Sequence, residues 1–161
     1  MKQYTNELTP EIIHGIRNPH SQSELAELRE DERKFILEDI KKRAEIPIVA
    51  IYRYACEGAL TRDGGVLRKA SSRNITRLKD GTELRYALVG DEVSYPNGRI
   101  AKMISGTGKR NKSNGRSFAL VGSELDNGDV IVSTPQNGRM LVEFDDNRFG
   151  DDFLKPAVLE V

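Results

Sequence analysis

The sequence predicts a mainly β domain with rough three-fold internal repetition, preceded by an N-terminal helical extension. Three observations carry this. A turn dipeptide followed by apolar residues occurs as Asp63-Gly64-Gly65-Val66-Leu67, Asn97-Gly98-Arg99-Ile100-Ala101 and Asn127-Gly128-Asp129-Val130-Ile131. Each copy reaches a second turn, at Asp80-Gly81, Asn114-Gly115 and Asn137-Gly138, before another apolar run. Two of those runs nearly coincide: Tyr86-Ala87-Leu88-Val89-Gly90-Asp91 and Phe118-Ala119-Leu120-Val121-Gly122-Ser123. The third, Met140-Leu141-Val142-Glu143-Phe144, keeps only the hydrophobicity. Asn-Gly and Asp-Gly allow the positive φ angles that two-residue hairpin turns require. Short strands between such turns, repeating about every thirty residues, indicate a repeat architecture.

The expected organisation is a helical extension over 1–46, a β domain over 47–144 and an acidic tail over 145–161. Thr9 reads as an N-cap with Pro10 at the first helical position. Ser21-x-x-Glu24 resembles a capping box. From there to Ala44 the residues favour one helix, acidic at its start and closed by Lys41, Lys42 and Arg43, as the helix dipole prefers. Leu25, Leu28, Phe35, Ile36 and Ile40 form its apolar stripe, interrupted by Glu32. That stripe fits two readings equally: docking on the chain's own β domain, or a handle for a chaperone, adaptor or effector. Pro47 marks the junction, and Ile48 to Cys56 reads as a largely buried strand. Asp145, Asp146, Asp151 and Asp152 read as a soluble end, since the spacing of a calcium loop is absent.

Composition narrows the function. Formal net charge is zero across 161 residues, so nothing global points to nucleic acid or an anionic membrane. No stretch has the length of a membrane span or the pattern of a signal peptide. Cys56 is the only cysteine, and the two histidines, His14 and His20, both precede the repeats. A hydrolase or toxin built on these three residues is the rival from another class, and a cytoplasmic adaptor or immunity protein is a third reading. No paired Cys or His spacing supports zinc. Gly106-Thr107-Gly108-Lys109 lacks the spacing of a phosphate loop. Lys109, Arg110, Lys112 and Arg116 lack the interleaved aromatics that stack bases. No cofactor, metal or catalytic residue is expected.

The repeat region, about Ile48 to Phe144, resembles the proline–alanine–alanine–arginine repeat (PAAR) proteins, the tip pieces of the type VI secretion spike. The resemblance rests on Glu57-Gly58-Ala59-Leu60-Thr61-Arg62-Asp63-Gly64-Gly65-Val66 and on Ala87-Leu88-Val89-Gly90-Asp91, echoed at Ala119-Leu120-Val121-Gly122-Ser123. Together with the turn dipeptides, it makes Gly64, Gly65, Ala87, Gly90, Asp91, Gly98, Ala119, Gly122 and Gly128 the motif and turn positions. It implies a conical, pseudo-three-fold β domain capping a trimeric valine–glycine-repeat spike, one tip per trimer. It also implies assembly in the cytoplasm and export by the secretion machine without a signal peptide. The chain departs from the family pattern where Arg85-Tyr86-Ala87-Leu88 replaces the eponymous tetrapeptide. The histidines of the family's apical metal site have no counterpart after His20.

Overall fold

The computed structural model describes residues 1–156. The element order is α1 (Pro10–Arg17), α2 (Gln22–Glu27), α3 (Glu30–Arg43), β1 (Ile48–Arg53), β2 (Leu60–Thr61), β3 (Ile75–Arg77), β4 (Glu83–Arg85), β5 (Glu92–Ser94), β6 (Ile100–Lys102), β7 (Lys112–Ser113), β8 (Arg116–Ser117), β9 (Ile131–Ser133) and β10 (Met140–Phe144). The protein is mainly β, built from short strands, with its helices near the N-terminus. Two compact units result. The helical unit is Glu7–Ala50 with Val142–Arg148. The β unit holds Met1–Asn6, Ile51–Leu141 and the described chain from Phe149. The boundaries therefore differ from the expected 1–46, 47–144 and 145–161 at both ends.

In the β unit three copies start at Tyr54, Tyr86 and Phe118. The Ala87 amide donates to the Ala55 carbonyl at 2.9 Å, Ala119 to Ala87 at 2.9 Å, and Ala55 to Ala119 at 3.0 Å, closing a ring. Bridges repeat the cycle at the flanking residues: Cys56 with Tyr86, Leu88 with Phe118, and Leu120 with Tyr54. So do the amides of Glu57, Val89 and Val121, which bond the carbonyls of Arg85, Ser117 and Arg53. The third copy of the Ala-containing run is thus Tyr54-Ala55-Cys56-Glu57-Gly58. The run Met140 to Phe144 is instead β10, the partner of β1.

After each ring segment the chain turns at Gly58, Gly90 or Gly122, with φ of 95°, 97° and 104°. L-residues rarely adopt that region, so glycine is the residue that fits. A hairpin follows, tipped by Gly64, Gly98 and Gly128, also at positive φ. Hairpins then pair in a cycle. Val66 of the first exchanges bonds with Ser94 of the second. Ile104 of the second donates to Glu124 of the third. Arg62 of the first donates to Val130 of the third. Ring closure leaves these hairpins no free edge. Two outer hairpins, β3–β4 and β7–β8, have the expected turns at Asp80-Gly81 and Asn114-Gly115, and β1 with β10 occupies the third position.

Alternation along each ring segment divides the core. Ala55, Ala87 and Ala119 pack with Leu67, Val93, Met103, Leu125 and Ile131 on one side. Tyr54, Tyr86 and Phe118 pack with Cys56, Leu88 and Leu120 on the other. The Tyr54 ring meets Phe118 at 5.6 Å and Tyr86 at 6.1 Å, both edge to face. Each fully buried Leu, Ile or Met contributes about 1.5–3 kcal/mol relative to exposure. The expected soluble tail folds onto this core: Phe153 and Leu154 pack against it, and the Leu154 amide donates to Gly106 at 2.8 Å. Its apolar residues outweigh the neighbouring aspartates.

The N-terminal residues are also β rather than helical extension. Tyr4 and Thr134 exchange backbone bonds at 2.8 and 3.0 Å. Arg53, 2 % exposed, donates to the Thr5 and Asn137 carbonyls. Burial lowers its pKa, and those carbonyls replace the water it has lost.

In the helical unit, Thr9 caps α1 and Ser21 caps α2 in a capping box with Glu24, as the sequence indicates. The single helix to Ala44 does not form. It breaks at Leu28 and Arg29, whose ψ values are both 153°. Arg33 explains the break: its guanidinium takes the carbonyls of Leu25, Ala26 and Leu28 at 2.8–3.1 Å. Those bonds satisfy the carbonyls a continuous helix would have used.

Candidate docking surfaces

The predicted motif positions differ in setting, with Gly90 and Gly122 at the turns after the ring segments. Ala87 and Ala119 are fully buried in the ring. Gly64, Gly98 and Gly128 sit at exposed hairpin tips, where a Cβ would meet nothing within 4 Å. Gly65 differs from them: a Cβ there would lie 2.4 Å from Val93 Cγ1 and 2.8 Å from Thr61 Oγ1, so close packing fixes this glycine.

Asp91 organises the second copy's turn. Its carboxylate accepts from the Leu88 amide at 2.8 Å, the Ser71 amide at 3.0 Å, the Ser71 hydroxyl at 2.5 Å and Arg116 at 2.8 Å. Ser123 occupies the equivalent position in the third copy and accepts the Leu120 amide at 2.8 Å. Asp91 and Arg116 are therefore structural partners, and the basic cluster around Lys109 is dispersed. Arg110 stacks over Phe149 at 4.1 Å, and the Lys109 amide donates to Asp152 at 2.7 Å.

Asp129 joins the hairpin tips. It is 1 % exposed and accepts from Tyr95 at 2.6 Å, Val130 at 2.7 Å and the Asp63 amide at 3.2 Å. Burial pushes its pKa up, but hydrogen bonds from Thr61, Tyr95, Val130 and Asp63 prevail, leaving it below the usual carboxylate value. Sequence reading missed Asp129, Arg53 and Thr134, whose roles depend on partners far away along the chain.

On the outside of the hairpins an apolar position recurs. Val66, Ile100 and Val130 each stand two residues beyond the tip glycine. Ile100 is 59 % exposed, and Val66 and Val130 are half-buried. In the helical unit, Leu25 and Leu28 lie in and after α2, while Phe35, Ile36 and Ile40 lie in α3, so the stripe is split between two helices. None of the five is buried, and Phe35 is 74 % exposed. Phe35, Ile36 and Ile40 line a cavity of about 280 Å³ with Val142 and Phe144.

The residues of the rival enzymatic reading are engaged separately. Asn18 meets the ring of His14 at 3.3 Å, and His20 pairs with Glu24 at 3.6 Å. Cys56 is buried, 3.4 Å from the Thr134 hydroxyl, and burial pushes its thiol pKa up against the opposing hydrogen bonds. Among the described residues no group of three His, Cys, Asp or Glu could hold a metal ion. No helix among them is long and apolar enough to cross a membrane. No protein-family model, curated protein or solved structure matches the chain.

Proposed function

We propose that the β unit is a structural cap for a three-fold partner: a conical, PAAR-like tip seated on a trimeric valine–glycine-repeat spike of a type VI secretion system. The supporting observation is the closed hydrogen-bond cycle through Ala55, Ala87 and Ala119. A single chain with three equivalent segments can present one similar surface to each subunit of a trimer. Three modest contacts then engage as one. Cyclic hairpin pairing also suits a part under load, because it leaves no open edge in the ring from which to unzip.

In this reading the protein is not an enzyme, assembles in the cytoplasm and leaves with the spike. The helical unit provides an attachment for an effector, adaptor or chaperone through Phe35, Ile36 and Ile40. The test is native mass spectrometry of the chain co-expressed with a trimeric spike protein. One copy per trimer supports the reading. Three copies per trimer, or no complex, overturn it.

A further inference from the structure

The outer edge of β3 is open. The Tyr86 amide donates to Asn74 at 2.9 Å and the Leu78 amide to Thr82 at 2.8 Å, fixing the bonded pairs of the β3–β4 hairpin. Between them, the pairs Ile75–Arg85 and Arg77–Glu83 turn the N–H and C=O groups of Ile75 and Arg77 away from β4. The opposite edge of the hairpin is occupied, since Glu57 and Arg85 bond each other there. Among the described residues β3 has no strand partner on its open side.

A groove of about 680 Å³ borders β3, lined by Thr76 to Asp80 of β3 and its turn and by Tyr86 just after β4. Its far wall includes Lys2, Tyr4 and the loop from Pro135 to Arg139. Gln136 ties that loop to Tyr54, donating to the Tyr54 and Arg139 carbonyls and accepting the Arg139 amide, each at 2.8 Å. The charge is one-sided. Lys2, Lys79 and Arg139 face a single acid, Asp80, and Arg77 is paired with Glu83.

We propose that this edge docks an acidic, extended segment of a partner protein, which adds to β3 as a further strand. Strand addition uses the outward N–H and C=O groups for affinity and the side chains around them for selection. The cations select carboxylates. They disfavour a second copy of this chain, whose own β3 would bring Arg77 and Lys79 against Arg77 and Lys79. They also cover the aromatic faces: Lys2 lies 5.4 Å above Tyr4, and Arg139 lies 5.1 and 5.3 Å above Tyr54 and Tyr86. That removes the stacking platform a single-stranded nucleic acid would use. This proposal stands apart from the spike reading, since the groove belongs to one outer hairpin and breaks the three-fold pattern.

The test uses the full chain and a fluorescent eight-residue peptide of alternating glutamate and valine, with a lysine–valine peptide and a single-stranded oligonucleotide as comparisons. The expected result is that the glutamate peptide alone binds and slows amide exchange at Ile75 and Arg77. K2E/K79E, at exposed positions, should weaken binding roughly tenfold or more at low salt. R77P, which removes an outward N–H that β4 does not use, should abolish binding with the fold intact. Binding by the lysine peptide or the oligonucleotide as tight as the glutamate peptide overturns the proposal. So does glutamate-peptide binding unchanged in K2E/K79E, or no binding up to millimolar peptide.

Discussion

The Cys56 amide donates to the Thr134 hydroxyl at 3.1 Å, a bond that crosses 78 positions of sequence. In the other two copies the equivalent amides, of Leu88 and Leu120, are satisfied within the turn by Asp91 and Ser123. The first copy has Ala59 at that position, so its amide takes its acceptor from the far end of the repeat region. Thr134→Val should therefore orphan a buried donor and cost about 1–3 kcal/mol. Ala59→Ser in the same chain places a hydroxyl where Ser123 has one, and should recover most of the loss. Thermal melts of the single and double variants check this, and failure of the second change to help would refute the equivalence.

The alanine ring makes a sharper demand. Ala55, Ala87 and Ala119 are fully buried, and each amide is committed to the next carbonyl. Ala87→Val adds two methyl groups where three backbones converge. Overpacking of this kind costs about 1–3 kcal/mol. For a chain of this size the melting temperature should fall by about 2–4 °C per kcal/mol. Ala119→Val should cost a similar amount, because the two positions are related by the cycle. A melt unchanged by either substitution would show slack that the ring geometry does not allow.

How much of this could be read from the residues depends on the range of the cause. Turn dipeptides and Ala-Leu-Val-Gly runs are local signals, so the hairpins and the turns at Gly90 and Gly122 were legible. Tyr54-Ala55-Cys56-Glu57-Gly58 was missed because it shares only the aromatic, the alanine and the glycine with its counterparts. Its spacing to Tyr86-Ala87 and Phe118-Ala119 was the available signal. Phe153 and Leu154 were overlooked because aspartates surround them, whereas burial depends on the apolar surface they add to an existing core. The break at Leu28 lies in a run of good helix formers, and the contact that accompanies it, Arg33 reaching back to the carbonyls of Leu25 and Leu28, leaves no mark on propensity or apolar spacing.

Asp129 should make acid stability depend on the hairpin tips. Its pKa lies below the ordinary 3.8 in the folded chain. Between the folded and unfolded values the unfolded chain binds more protons, so stability rises with pH there. The contribution is present above pH 3.8 and is lost as pH falls through the lower folded value. Asp129→Asn should flatten the melting curve's pH dependence below about pH 4, with little change in its slope between pH 5 and 7. Asp80, lowered by Thr82, remains in both proteins and cancels in the comparison. A variant as acid-sensitive as the parent would remove Asp129 from the account.

The spike reading predicts an apolar contact, because the chain has no net charge with which to steer a partner. Val66, Ile100 and Val130 offer the same apolar side chain type three times, outside hairpins that already pair with one another. An isolated exposed isoleucine needs no explanation, but a position kept apolar in three diverged copies fits contact with three identical subunits. Such an interface should bury more than roughly 1,000 Å² in total and hold its affinity as salt rises. Ile100→Glu should weaken the complex by about tenfold or more, since it places an unpaired charge against an apolar surface. The same substitution, on an exposed site, should change folding stability by no more than about 0.5 kcal/mol. Titration of the purified spike with parent and variant, at low and high salt, measures both. A complex that dissociates on modest salt addition, or one that Ile100→Glu leaves intact, would remove these side chains from the interface. Acidic peptide binding at β3 should move the opposite way, weakening with salt while the spike complex persists.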